Sequence, residues 1–491
     1  MTTPPTTTPG AIPHPAPPRR LTLVDAWRAG RASTAPVLPG GGVLGHVRAM
    51  RRERLAFQER LAAFAPVCRF MMGPVAVHAA SDAASIQDIL ALHPEAFRKS
   101  RGLAVEGRPI FGDGLLTSDG QAHADARRLM APAFTPRRLS GYGAAMAEEA
   151  RATASGWPDG ARVDLADAMM RMTLMIVGRT LFATDLRRDA DLIARALTDG
   201  MQAIVEGVSS LVPLPYEVPI ARHRRMRDAV AALDGVVYRV LSERRQAVLR
   251  LGEDDRGDVL STLLAARDER GQPQAAAMSD AQVRDEIMTL MLAGHETTAN
   301  ALTWTLYALA REPALWDAVT AEVDAVLAGP AGAARRPVTP DDLPRMPLVA
   351  AAIDEALRLW PPAYAMGRQV AAPVSVGGFR LEPGTFVMIN IYGLHRRPEI
   401  YPDPLRYDPS RMLPAAKKAR PRGAWLPFGA GPRVCIGNHF ALMEAQLALA
   451  TILSHVRLEL AAPGAPVVPE PMVTLRPKGG LPVIVRRRAG A

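Results

Sequence analysis

Apolar positions along most of the chain recur at helical spacing. From about residue 120 onward they return every three or four residues, in segments parted near 211–220, 251–257, 328–346 and 413–424, which predicts a succession of amphipathic helices. Two segments are apolar nearly all round and predict buried helices. One begins at the capping-box signal Ser279-Asp280-Ala281-Gln282 and runs to Arg311, where Glu312-Pro313 stops it. A helix of roughly thirty residues spans about 45 Å. The other is the stretch 436–453, directly after Cys435. Alternation through Arg69-Phe70-Met71-Met72-Gly73-Pro74-Val75-Ala76-Val77 predicts a hairpin, and 374–379 with 385–389 predicts a second small sheet. Many helices with a little strand imply a mainly α (α+β) architecture.

Composition narrows this picture. With 491 residues, 48% hydrophobic and 22% charged, the chain has the balance of a large globular protein. Residues 1–40 read as a Pro/Thr-rich disordered tail and extended segment, and 41–491 as one domain. The tail has no apolar core of a signal peptide, and no run of about 18 apolar residues marks a membrane span. Cys68 and Cys435 are the only cysteines, too few for a disulfide framework, which points to a reducing cytoplasm. The net charge is +10, but aromatic residues make up only 5%. No basic stretch is interleaved with stacking residues, so nucleic acid is excluded as partner. A basic face for an acidic protein accounts for the charge better.

The chemistry concentrates in Phe428-Gly429-Ala430-Gly431-Pro432-Arg433-Val434-Cys435-Ile436-Gly437. Glycines at 429, 431 and 437 let the backbone turn sharply and lie close to something flat. A cysteine at a helix start is pushed toward thiolate. Arg433 stands ready for an anion. Together these describe a haem iron held by cysteine. In the long helix, Ala293-Gly294-His295-Glu296-Thr297-Thr298 interrupts an apolar run with an acid and hydroxyls. A buried acid is costly unless it is used, and Gly with Thr predicts a local kink or widened turn. His295 reads as a structural hydrogen-bonding residue.

The F-x-x-G-x-R-x-C-x-G pattern resembles the haem-binding loop of the cytochrome P450 family at every fixed position, and the likeness extends over roughly residues 40–488. The resemblance implies the family's helical haem domain with a small β-rich subdomain, haem b as cofactor, and Cys435 as iron ligand beside Phe428, Gly429, Arg433 and Gly437. It implies that Thr297 and Glu296 handle dioxygen and its protons, with Ala293 against the haem face. Four further positions match haem-carboxylate contacts: His123 and Arg127 in an H-x-x-x-R helix, Arg368 and His395. Glu355, Arg358 and Arg411 match a buried network beneath the haem, in a chain with Tyr407 and Met412 where phenylalanine is common.

The activity so implied is a soluble bacterial monooxygenase, a monomer, that inserts one atom of O2 into an apolar or amphiphilic fatty acid, terpenoid or steroid-like substrate. Its electrons come from an acidic ferredoxin or flavodoxin with an NAD(P)H-dependent reductase, docking near Lys417, Lys418, Arg420 and Arg422. The Ala363-Tyr364-Ala365-Met366 segment and the A-G-H-E-T-T helix look most like soluble fatty-acid hydroxylases. Arg222-His223-Arg224-Arg225, after the apolar loop 209–220, would meet a carboxylate. A peroxide-driven peroxygenase or haem isomerase, and a non-catalytic haem sensor, are the alternatives; the Glu296-Thr297 pair argues against both.

Overall fold

A computed structural model describes residues 23–100, 102–210, 214–251, 257–264, 278–329 and 335–488. The Pro/Thr-rich stretch 1–22 lies outside the described residues, as does most of the 251–257 segment. Of the expected extended segment, Leu23–Ala32 is instead a helix, α1. It packs on the strand Val75–Ala80 closely enough that a Cβ on Gly30 would come within 2.9 Å of Ala76.

The principal helices that follow are α2 (Gly120–Met130), α3 (Pro136–Ser155), α4 (Leu165–Leu181), α5 (Ala190–Val208), α6 (Ala221–Leu251), α7 (Asp280–Arg311), α8 (Pro347–Leu359) and α9 (Asn438–His455). The strands are β1 (Val67–Met72), β2 (Val75–Ala80), β3 (Phe97–Lys99), β4 (Met366–Val370), β5 (Val374–Val376), β6 (Phe379–Leu381), β7 (Phe386–Ile389), β8 (Pro469–Pro471) and β9 (Leu475–Pro477). A further three-stranded sheet joins Arg162–Asp164, Pro482–Arg487 and Val456–Leu460.

α7 is the axis of the molecule, packed against α4, α6, α8 and α9. Its capping box forms as the sequence predicts: the Gln282 N–H donates to Ser279 Oγ at 3.3 Å, and the Ser279 N–H to Gln282 Oε1 at 2.9 Å. No widened turn interrupts it; the α-helix is continuous through 293–298. Thr297, Thr298, Thr303 and Thr305 each donate to the carbonyl four residues back, at 2.7–3.2 Å. These hydroxyls add to the helical ladder instead of replacing it, which is how so many threonines are tolerated in a buried helix.

The 69–77 hairpin is β1–β2, but the second sheet differs from expectation. β5 and β6 pair only with each other, across Gly377-Gly378 at φ +54° and +83°, the geometry two-residue hairpin turns require. β7 instead joins the N-terminal sheet in the order β1-β2-β7-β4-β3. It runs parallel to β2 with Val77 opposite Phe386 and Ala80 opposite Ile389. A parallel partner more than 300 residues away leaves no local signal in the sequence.

At the end of α8, Arg358 and Glu355 are both without exposed surface and form a two-armed pair at 2.7 and 2.8 Å. The remaining Arg358 donors reach the carbonyls of His395, Pro404 and Arg406 at 2.7–3.0 Å. Glu355 also accepts from the Asp408 N–H at 3.0 Å, and Arg411 approaches it at 3.7 Å. Removing one partner of such a pair strands a buried charge. Glu355→Ala is expected to lose about 3–5 kcal/mol of stability, measurable by denaturant unfolding, whereas Arg411→Ala at the periphery is expected to lose less than half of that.

Candidate active site

Cys435 sits at the mouth of α9, where its N–H donates to the Phe428 carbonyl at 2.9 Å and closes the 428–435 loop. Gly429 and Gly431 both have φ +69°. At Gly431 a Cβ would fall 1.8 Å from the Leu90 carbonyl oxygen, so no other residue fits there. Gly437 has an ordinary φ of −92° and its nearest neighbour, the Phe134 ring, would lie 3.8 Å from a Cβ. No turn demands glycine at that position; it keeps space open beside the sulfur. The Cys435 side chain has exposed surface, yet protein crowds its other sides. That desolvation raises the thiol pKa, while the Gly437 N–H and the Arg127 charge pull it down. Thiolate would be favoured only with a cation at the sulfur.

α7 answers from its own middle. It is buried through 287–292 and 298–309, but Ala293 is exposed and Thr297 half-buried. Exposed positions amid buried helix mark an internal opening. Thr297 Oγ1 donates to the Ala293 carbonyl at 2.7 Å, which leaves its lone pairs free to accept. Glu296 is buried, with burial raising its pKa and the Thr474 hydroxyl, then Arg476, opposing this. His295 Nδ1 bonds the Met291 carbonyl at 2.7 Å and its ring is held neutral by burial, near pKa 4, in keeping with a structural role.

The expected haem-carboxylate contacts divide. Arg433 donates to the carbonyls of Pro94 and Phe97 and pairs with Asp119 at 3.2 Å. Arg368 is buried and donates to the Gly367 carbonyl at 2.9 Å. Burial and the Arg433 charge lower its pKa to about 10. His123 is held down to about 4 by burial, then by Lys99 and Arg433. Lys99 lies in the same cluster and was not singled out in the sequence. Its ammonium donates to the Leu115 carbonyl at 2.6 Å, and burial brings it to about 8. A lysine after a short strand carries no motif, so only the fold brings it here.

Arg127, expected beside His123 toward one anion, has one of its donors committed elsewhere. It donates to the Val434 carbonyl at 2.7 Å, next to the cysteine. His395 is a correction. It is wholly buried; its Nε2 accepts from the Leu426 N–H at 2.9 Å, so Nδ1 carries the proton and donates to the Arg358 carbonyl at 3.1 Å. Both nitrogens are committed to backbone, so His395 braces the 426–435 strap and has no free N–H to offer a carboxylate.

Lys99, Arg368, Arg433 and His123 thus converge with Asp119 as their nearest carboxylate. Half-buried Lys99 and Arg433 and buried Arg368 repel one another beside a neutral His123, which makes a site that favours added negative charge. An open cysteine flanked by glycines, an opening in α7 at Ala293 and Thr297, and a cationic cluster at Arg368 and Arg433 fit a flat macrocycle with carboxylate arms.

The family model described as Cytochrome P450 matches residues 36–483. The chain belongs to the cytochrome P450 family. Cyclooctatin synthase of Streptomyces melanosporofaciens is 36% identical over 89% of this chain and 93% of its own. Pentalenene oxygenase of Streptomyces avermitilis is 34% identical over 90% and 95%. Among solved structures, the cytochrome P450DA heme domain superposes with a TM-score of 0.80 at 28% identity, over 93% of this chain and 98% of that one. The chain is accordingly an oxidoreductase of the P450 monooxygenase class, using haem iron, O2, an organic substrate and redox partners. No helix among the described residues is long and apolar enough to cross a membrane.

The cofactor supplies oxygen activation; the protein supplies ligand, polarity and access. Cys435 is the residue that can hold the metal, with the Gly437 N–H and Arg127 stabilising negative charge on sulfur. A second acid, Glu444 on α9, is wholly buried beside Thr298, its pKa raised far above the usual range by burial. Sequence reading missed it within an apolar helix. Because its folded-state pKa is raised, wild-type stability falls as pH climbs from the unfolded carboxylate value. Relative to Glu444→Gln, the loss is expected at about 1.4 kcal/mol per pH unit above roughly pH 4.3, until the folded-state value is reached. Paired urea titrations from pH 4 to 8 would show parallel curves if the carboxyl were instead ionised.

Proposed function

We propose that this P450 inserts one oxygen atom into a terpenoid hydrocarbon or alcohol, with Cys435 ligating the iron of haem b. His123, Arg368 and Arg433 take the haem carboxylates, Thr297 and Glu296 handle dioxygen and its protons, and Ala293 leaves room for substrate. The observation that carries the substrate class is the set of relatives. Cyclooctat-9-en-7-ol 5-monooxygenase of S. melanosporofaciens, 34% identical over 90% of this chain and 91% of its own, joins the two above, and all three cover nearly the whole chain.

The expected mouth is a cavity whose arginines are largely engaged by protein groups. A cavity of about 220 Å³ lies between α5, α6 and the 214–220 loop, lined by Val105, Ala203, Tyr216, Arg222 and His223 among others. Each arginine beside it already has a protein partner: Arg222 the His223 ring at 2.8 Å, Arg224 the Pro219 carbonyl at 2.7 Å, Arg225 the Glu206 carboxylate at 2.6 Å. Arg222 and Arg225 each keep a buried Nε without a partner among the described residues, so it is the relatives rather than these arginines that favour a neutral substrate, and an apolar ring needs no such donor.

Electrons reach the haem from a separate acidic ferredoxin or flavodoxin. The basic loop offers less for docking than its sequence promised, because Lys417 pairs with the buried Asp354 and Arg420 donates to the Arg411 carbonyl. Lys418 and Arg422 remain exposed, and steering rests on them.

The reduced holoprotein under carbon monoxide is expected to show the red-shifted Soret band of thiolate ligation, lost in Cys435→His. Pentalenene and cyclooctat-9-en-7-ol are expected to give low-to-high spin shifts with Kd at least about tenfold, or 1.4 kcal/mol, tighter than C10–C18 fatty acids. The reverse order of affinity would transfer the assignment to fatty acids.

A further inference from the structure

The hairpin β8–β9 carries at its tip Thr474, whose hydroxyl lies 2.5 Å from Glu296 Oε1. Both residues are buried. Asn300, one helical turn beyond Glu296 on α7, donates its Nδ2 amide to the same Thr474 oxygen at 3.1 Å. A hydroxyl has one proton to give. With Asn300 filling a lone pair, that proton is directed to the carboxyl, and Thr474 acts as donor.

We propose that Thr474 is a positioning residue for the Glu296 carboxyl, oriented in its turn by Asn300. The inference rests on the reading of Glu296 as the proton-handling acid and adds the device that makes it usable. A carboxyl in an apolar site stays protonated and inert. A donor aimed at one oxygen stabilises the ionised form, and its length is that of a charge-assisted bond. It fixes the carboxyl by Oε1 and leaves Oε2, which has no protein donor among the described residues, as the atom that takes up and releases a proton.

The tip is rigid enough for this. Tyr364 Oη donates to the Met472 carbonyl at 2.7 Å, the Leu475 N–H to the Pro362 carbonyl at 3.1 Å, and Trp304 Nε1 to the Leu475 carbonyl at 3.0 Å. Arg54 binds the Pro471 carbonyl at 2.8 Å. The other ionisable groups around Glu296 are already committed. Arg476 of β9 pairs with Glu470 of β8 at 2.9 Å, and His295 on the same helix is neutral. Glu444 of α9 faces Thr298 and is protonated. The hydroxyl of Thr474 is therefore the adjustable element.

Thr474→Val removes the hydroxyl at nearly constant volume. Infrared pH titration of the full-chain holoprotein, each variant minus the same variant carrying Glu296→Gln, isolates the Glu296 carboxyl. The midpoint is expected to rise by about one pH unit or more in Thr474→Val, by less in Asn300→Ala, and to return to the wild-type value in Thr474→Ser. An unmoved midpoint in Thr474→Val overturns the proposal; if that variant loses haem, Asn300→Ala decides without disturbing the hairpin.

The peroxide fraction of oxygen consumed in NAD(P)H-driven turnover, with a surrogate ferredoxin and its reductase, separates the two readings. A peroxide fraction unchanged by Glu296→Gln removes the proton-handling role of Glu296, and with it the catalytic meaning of Thr474. A rise in Glu296→Gln, with the pH dependence of Thr474→Val still matching wild type, overturns the Thr474 role alone.

Discussion

The position of the cysteine loop depends on one guanidinium. Arg358 has no exposed surface, and an arginine so placed is stable only if its donors are filled. Glu355 fills two, and three backbone carbonyls, of His395, Pro404 and Arg406, fill the rest. Those carbonyls belong to the chain between β7 and the cysteine loop, which has little regular structure of its own. From there the constraint passes through His395, braced against the Arg358 carbonyl, to the Leu426 N–H, and by the Phe428 carbonyl to Cys435. Trp425 adds a bond to the Asp354 carbonyl of α8 at 3.1 Å. The metal ligand is thus held by a polar frame rather than by its own helix alone.

The site divides charge between its two ends. At the sulfur, burial works against the thiolate, and the opposing helpers are a single N–H and one arginine. At the rim, Lys99, Arg368 and Arg433 crowd together with Asp119 close by, each of the first two held below its usual pKa chiefly by burial. A dianionic macrocycle with a metal at its centre would suit both ends, adding negative charge at the rim and a cation at the sulfur.

Beyond the haem site several ionisable groups are buried without charge. His295, His395 and Glu444 are buried in neutral form, and the threonines of α7 return their protons to the helix. Glu296 differs, an acid on the same helix held by a directed donor from a distant hairpin, as Glu286 is held by the Leu115 N–H. At the mouth, arginines that look free in sequence are tied to their neighbours, so the local charge says less about the ligand than it promised.

The sequence by itself determined what rests on local chemistry. The capping box and length of α7, the glycine-framed cysteine and the Glu355–Arg358 spacing are all short-range, because helix ends and i,i+3 pairs need only neighbours a turn away. Thr297 and Glu296 stood out as polar residues in an apolar helix. Tertiary structure alone decided the rest. It placed β7 beside β2, sent Arg127 to Val434, turned His395 inward as a brace, and gathered Lys99, Glu444 and Thr474 around the site from segments without a motif. Those roles come from partners up to about three hundred residues away, and no periodicity or spacing along a chain encodes which distant groups packing will bring together.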